Sequence, residues 1–187
     1  MEARTVYFDK PGEVNTEEAL KAVKRRADEL GIKTVLVAST RGEAAVKAID
    51  ILQGLRVIAV SHSTGFREPN QQRFTDENRK YFESKGGTVL TTSHIFAGVS
   101  RAMRNTFNTF EIGDTIASTL RIFGEGMKVV CEISMMACDS GLVPANEDVI
   151  SVAGSSRGSD TAVVLTPVNS HRFFALKVKE IICKPHF

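Results

Sequence analysis

The stretch VLVASTRGEAAVKAIDILQGLRVIAVS, residues 35–61, decides how the rest of the chain is read. With Thr34 it opens on TVLVA, a short apolar run of the kind expected in a strand buried on both faces. Ser39-Thr40-Arg41-Gly42 interrupts the run. Ala44, Ala45, Ala48, Ile49 and Leu52 then recur at helical spacing until Gly54, and VIAV at 57–60 is a second strand. Two strands joined through a helix by short loops form a βαβ unit, and hence a parallel pair.

Upstream, a helix is expected over residues 15–30. Asn15 with Glu18 three residues on has the form of a capping box, Leu20, Val23, Ala27 and Leu30 form one stripe, and Gly31 ends it. Lys21, Lys24, Arg25 and Arg26 are interleaved with Asp28 and Glu29, which reads as a solvated helix face. Downstream, a polar loop over 61–74 leads to a helix at 75–85 and a third strand at 88–92. Residues 93–146 form a long, mostly helical connection. Val99, Met103, Phe107 and Phe110 make one stripe in it, and further helices are expected at 115–123 and 127–139. Strands follow at 148–153 and 161–166, and a final strand at 173–183 pairs with the latter through a turn at 167–171. Right-handed crossovers set the first three strands in a row, and the long connection lets the fourth return beside the first. Numbered among themselves, the first five strands run 3-2-1-4-5 in one α/β domain over 1–187.

Composition excludes several classes. The chain has 187 residues, a net charge of +2, 42% apolar residues and 25% charged residues. Disorder is excluded, no apolar run suits a membrane span, and the charge balance does not point to nucleic acid. Residues 1–5 carry no signal-peptide h-region, and Cys131, Cys138 and Cys183 form no C-x-x-C pair. A cytoplasmic protein with buried, unpaired thiols and no metal site is expected.

In an open parallel sheet, ligands bind outside the carboxyl ends of the strands where the order reverses. Two loops meet there. One holds Ser39, Thr40 and Gly42 at a helix N-terminus, where free N–H groups favour an anion. The other, GSSRGSDT, holds Gly154, Ser155, Ser156, Arg157, Gly158, Asp160 and Thr161. Its glycines let backbone approach an oxyanion, and Arg157 can donate bidentately to phosphate. His62, Ser63 and Thr64 follow the second strand and Thr92 and His94 the third, which completes a rim. His62 and His94 are candidates for acid–base chemistry. Glu132 and Asp139, seven apart, share one helix face as a candidate acid pair, with solvated or capping roles as the plainer reading. The sequence has no G-x-x-x-x-G-K-[ST], no G-x-S-x-G and no dinucleotide fingerprint at a strand end, which demotes ATP hydrolysis, hydride transfer and serine hydrolysis.

The opening stretch resembles the C-terminal α/β domain of pyruvate kinase. The resemblance extends to MMACDSGLVPANEDVISVAGSSRGSDTAVVLTP (135–167), which is similar to stand-alone archaeal pyruvate kinase α/β-domain proteins. It implies a three-layer α/β/α fold of order 3-2-1-4-5 with the last strand antiparallel. It does not imply pyruvate kinase activity, because that chemistry lies in a barrel domain for which the chain has no room. Ser39, Thr40 and Gly42 match the loop that binds a sugar bisphosphate effector in some members, while Arg41 and Glu43 depart from its pattern. For the stand-alone proteins the resemblance implies a phosphorylated ligand, flavin mononucleotide, with His62 and His94 facing the ring. The alternatives are an enzyme of unassigned, flavin-dependent reaction and a regulatory or assembly module docking through an exposed helix. Related domains commonly associate, so a homo-oligomer is compatible with this reading.

Overall fold

The computed structural model describes residues 2–186. The strands are β1 (Val6–Phe8), β2 (Thr34–Ala38), β3 (Arg56–Ser61), β4 (Thr88–Thr91), β5 (Val149–Ala153), β6 (Thr161–Thr166) and β7 (Lys177–Pro185). The helices are α1 (Thr16–Leu30), α2 (Glu43–Ile51), α3 (Asp76–Ser84), α4 (Gly98–Phe107), α5 (Ile112–Arg121) and α6 (Glu125–Asp139). Short 3₁₀ turns occupy Glu13–Asn15 and Ser170–Ala175.

All the strands join one sheet of order β1-β7-β6-β5-β2-β3-β4. Read from its far edge, β4-β3-β2-β5-β6 is the expected 3-2-1-4-5. Strand β2 pairs in parallel with both β3 and β5, so the order reverses beside it. β6 is antiparallel to β5 and to β7. β7 and β1 extend the sheet in parallel beyond that reversal. β1 is absent from the sequence-based reading because three residues are too few for a period-2 pattern to register.

Alternation along each strand builds two cores. Val35, Val37, Val57, Ala59, Ile150, Val152, Ala162 and Val164 pack on one face with α1, α2 and Phe82 of α3. Leu36, Ile58, Val60, Val149, Ala153, Val163 and Leu165 pack on the other with the apolar residues of α6. The layers are therefore α/β/α, as the resemblance implies. α6 is nearly surrounded, and twelve of its residues are buried.

Local expectations shift in three places. The Asn15–Glu18 capping box does not form. Asn15 is itself helical, and its amide donates back to the Lys10 and Gly12 carbonyls at 2.6 and 3.3 Å. The final strand starts at Lys177, because residues 170–175 turn as a 3₁₀ segment before it. The stripe Val99, Met103 and Phe107 does lie on one helix, α4, but faces water; Phe110 lies beyond its end and is exposed too. The basic cluster of α1 is dispersed into ion pairs: Lys21 with Glu17, Lys24 with Asp28, and Arg26 with Glu29 and Glu180. All three cysteines are buried and free. Among the described residues no helix is long and apolar enough to cross a membrane.

Candidate functional site

A cavity of about 510 Å³ lies over the carboxyl ends of β2 and β5, within the range of small-molecule sites. Four walls enclose it.

The first is the turn from β2 into α2. Ser39, Thr40 and Arg41 line the cavity, and the Ser39 hydroxyl accepts from the Ala45 amide at 3.2 Å, which fixes the helix start. Gly42 caps α2 at φ 105°, and a β-carbon there would press on Asn78 at 2.4 Å. Among the described residues the Glu43 and Ala44 amides have no partner, as expected of a free helix N-terminus.

The second wall is residues 154–158. Asp160, fully buried behind them, organises the loop. Its carboxylate accepts from the Gly12 amide (2.8 Å), the Ser155 amide (3.1 Å) and the Thr161 hydroxyl (2.8 Å). The Ser159 amide donates to Thr16 Oγ1 at 3.0 Å, so the start of α1 also holds the loop. Gly154 is required by space, since a β-carbon there would lie 2.3 Å from the Gly158 carbonyl oxygen.

The third wall is a ring cluster from the loops after β3 and β4. His62 and Phe66 lie 4.2 Å apart between centroids, Phe66 and His94 5.0 Å, and His62 and His94 5.2 Å. The Arg101 guanidinium of α4 sits 4.2 Å from the Phe66 ring centre. Thr40 Oγ1 lies 3.4 Å from His62 Nε2, which ties this cluster to the first wall. Burial, then the charge at His94 and that of Arg73, Arg101 and Arg67, pull the His62 pKa down to about 4, so its ring is neutral at pH 7.

The fourth wall is the face of α6 carrying Glu125, Lys128 and Glu132. Glu132 is 2% exposed, pairs with Lys128 one turn away, and accepts from the Phe96 amide at 2.8 Å. Its carboxylate lies 3.7 Å from His94 Nδ1. Burial alone would raise its pKa; His94, Lys128 and the Phe96 amide outweigh that and hold it down at about 2. His94 Nε2 is buried without a partner among the described residues.

Charge distinguishes the cavity. Its acids are matched: Glu13 with Lys47, Glu43 with Arg41, Glu125 with Arg121 and Glu132 with Lys128. Arg67, Arg73, Arg101 and Arg157 also line it, and among the described residues none of the four makes an ion pair.

A family model, the pyruvate kinase alpha/beta domain, matches residues 17–165, most of the chain and nearly all of these walls. The chain belongs to that family. The matched span runs from α1 through nearly all of β6, and β1 and β7 lie outside it. Among the residues singled out from the sequence, Ser39, Thr40, His62, His94, Gly154, Ser155, Ser156, Arg157 and Gly158 line the cavity together. Gly42, Asp160 and Thr161 lie behind it as supports. Ser63 lines a smaller hollow of about 190 Å³ on the far side of the ring cluster. Thr64 and Thr92 are in neither lining. Glu132 and Asp139 do not form an acid pair. Asp139 closes the far end of α6 by accepting from the Asn169 side chain and the Ser170 amide. Sequence reasoning missed Phe66, Arg67, Arg73, Arg101 and Lys128 as cavity residues. The available signal was two arginines in the polar loop after β3. Among the described residues no group of three or more acidic, histidine or cysteine side chains is gathered as a metal site.

Proposed function

We propose that the chain binds a phosphorylated small molecule, flavin mononucleotide or a related nucleotide, in the cavity over β2 and β5. The observation that carries this reading is the set of four arginines without acidic partners around a cavity that already holds two phosphate-type loops. Uncompensated guanidiniums repel one another, and an anion with two negative charges relieves that cost while accepting bidentate hydrogen bonds. The phosphate sits against residues 154–158 and the α2 N-terminus, and the planar group against His62, Phe66 and His94. A neutral His62 suits this end, because a ring packed on rings loses less hydration when uncharged.

The test is mass and absorbance spectroscopy of the supernatant from denatured protein, followed by titration with flavin mononucleotide, riboflavin and inorganic phosphate. Tight binding of the mononucleotide with much weaker riboflavin binding supports the reading. Absence of any phosphorylated molecule, with no binding of the three probes, overturns it.

One observation favours a second reading, an enzyme that uses His94 as its acid–base group. The Glu132 carboxylate faces His94 Nδ1, an arrangement that would orient the ring and leave Nε2 toward ligand. Reduction and reoxidation of a bound flavin with no turnover of an added substrate would count against it.

A further inference from the structure

α4 is built inside out. An amphipathic surface helix normally turns its apolar stripe to the core and its charges to water. Here Val99, Met103 and Phe107, spaced four apart, are 79%, 36% and 63% exposed, and no residue of the helix is buried. The charged side faces inward instead: Arg101 stacks on Phe66 at the cavity, and Arg104 pairs with the buried Asp114 of α5. Exposed apolar residues continue along the chain through the connection to α5, where Phe110 and Ile112 are each 79% exposed. At the other end of α5, Ile122 and Phe123 are 73% and 52% exposed.

We propose that this α4–α5 surface is the contact between two copies of the chain, packed about a two-fold axis. The inference needs no ligand and stands apart from the reading of the cavity. Two features select a second copy as the occupant. Full burial of a large apolar side chain removes on the order of 150–250 Å². At the exposed fractions above, these seven side chains offer roughly 700–1,150 Å², which spans the ~800 Å² per partner of a stable interface. It also exceeds the few hundred Å² of apolar patch that a monomer usually leaves to water. The second feature is charge. Between residues 98 and 125 the chain carries Arg101, Arg104 and Arg121 against Glu111, Asp114 and Glu125, a net charge of zero. Within it Arg104 pairs with Asp114, Arg121 pairs with Glu125, and Arg101 turns to the cavity, so the exposed face is apolar with no block of one sign, which suits its own two-fold copy better than a strongly acidic or basic partner.

Sedimentation equilibrium of the full chain tests this, with wild type compared against Phe107→Glu and Val99→Glu. Both positions are exposed, so neither substitution disturbs the core, and circular dichroism checks that the fold is retained. The wild type is expected at twice 20.4 kDa at micromolar concentration, with each variant at least 100-fold weaker in association. A larger wild-type assembly that loses one step of association in both variants supports the same surface. A wild type that stays monomeric at 100 μM overturns the proposal, and so does a dimer that both folded variants leave intact. Amide exchange adds a second readout: α4 amides that are no better protected at high than at low protein concentration also overturn it.

Discussion

Replacing Glu132 by glutamine should move stability and anion affinity in opposite directions. The carboxylate is 2% exposed and its Lys128 partner 11%, so both charges are essentially out of water. Glutamine keeps an oxygen for the Phe96 amide but removes the charge that offsets Lys128 and faces His94. Breaking a buried pair by deleting one partner costs about 3–5 kcal/mol, because the other charge remains buried and uncompensated. At roughly 2–4 °C per kcal/mol for a chain of this size, the melting temperature should fall by about 6–20 °C. The freed ammonium lies in the cavity wall. At an effective dielectric of about 20, a unit charge ~8 Å from an anion contributes roughly 2 kcal/mol. Anion binding should therefore strengthen, by up to about 30-fold at low salt and less at high salt. Thermal melts together with calorimetric titration of flavin mononucleotide and inorganic phosphate measure both effects. The reasoning is refuted if the variant melts within 2 °C of wild type, or if its affinity for both anions is unchanged or weaker while the fold is intact.

Three further outcomes follow from the same geometry. Arg157→Ala should weaken binding of a phosphorylated ligand by about 1.5–3 kcal/mol, nearer the lower figure because the side chain is exposed, with no change in melting temperature; equal affinity by calorimetry would remove Arg157 from the contact. Between pH 6.5 and about 4 the unfolded chain binds a proton at residue 62 that the folded chain does not. Stability should therefore fall as pH is lowered through that window, and urea midpoints for wild type and His62→Asn should show a flatter dependence in the variant. Burial pushes the Cys131 and Cys183 thiols up to about 12. Ellman's reagent at pH 7.5 should therefore leave both unmodified in the native state and react with all three cysteines in urea.

The sheet order was readable because its evidence is local and repetitive. Short apolar runs, helices of fixed length and one long connection leave few right-handed arrangements. The two loops that line the cavity were readable for the same reason, since a strand end followed by Gly, Ser and Thr is a contiguous signal. The remainder of the site was not contiguous. Phe66, Arg101 and Lys128 come from a loop and two helices that contact one another only after the crossover folds back. α4 shows a different limit. Its stripe of Val99, Met103 and Phe107 is visible in the sequence, but periodicity reports that a face is apolar and is silent on what covers it. Asn15 shows a third, because a capping motif competes with the turn that precedes it, and here the turn's own carbonyls take the side-chain amide.

The reversal at β6 separates the unit that folds from the unit that is recognised. Because β6 runs against β5, the sheet continues outward through β7 to β1, and the residues just after β1 come back over the 154–160 loop. Gly12 and Thr16 hold that loop through Asp160 and the Ser159 amide, yet both precede the matched span that begins at residue 17. A chain trimmed to 17–165 would keep every helix almost whole. It would lose β7 and β1 and expose the long edge of β6 to strand pairing with other chains. It would also release one wall of the cavity while leaving Arg157 in place. Domain boundaries drawn at the matched span would therefore yield a fragment that aggregates and binds poorly, for reasons located in the short segments outside it.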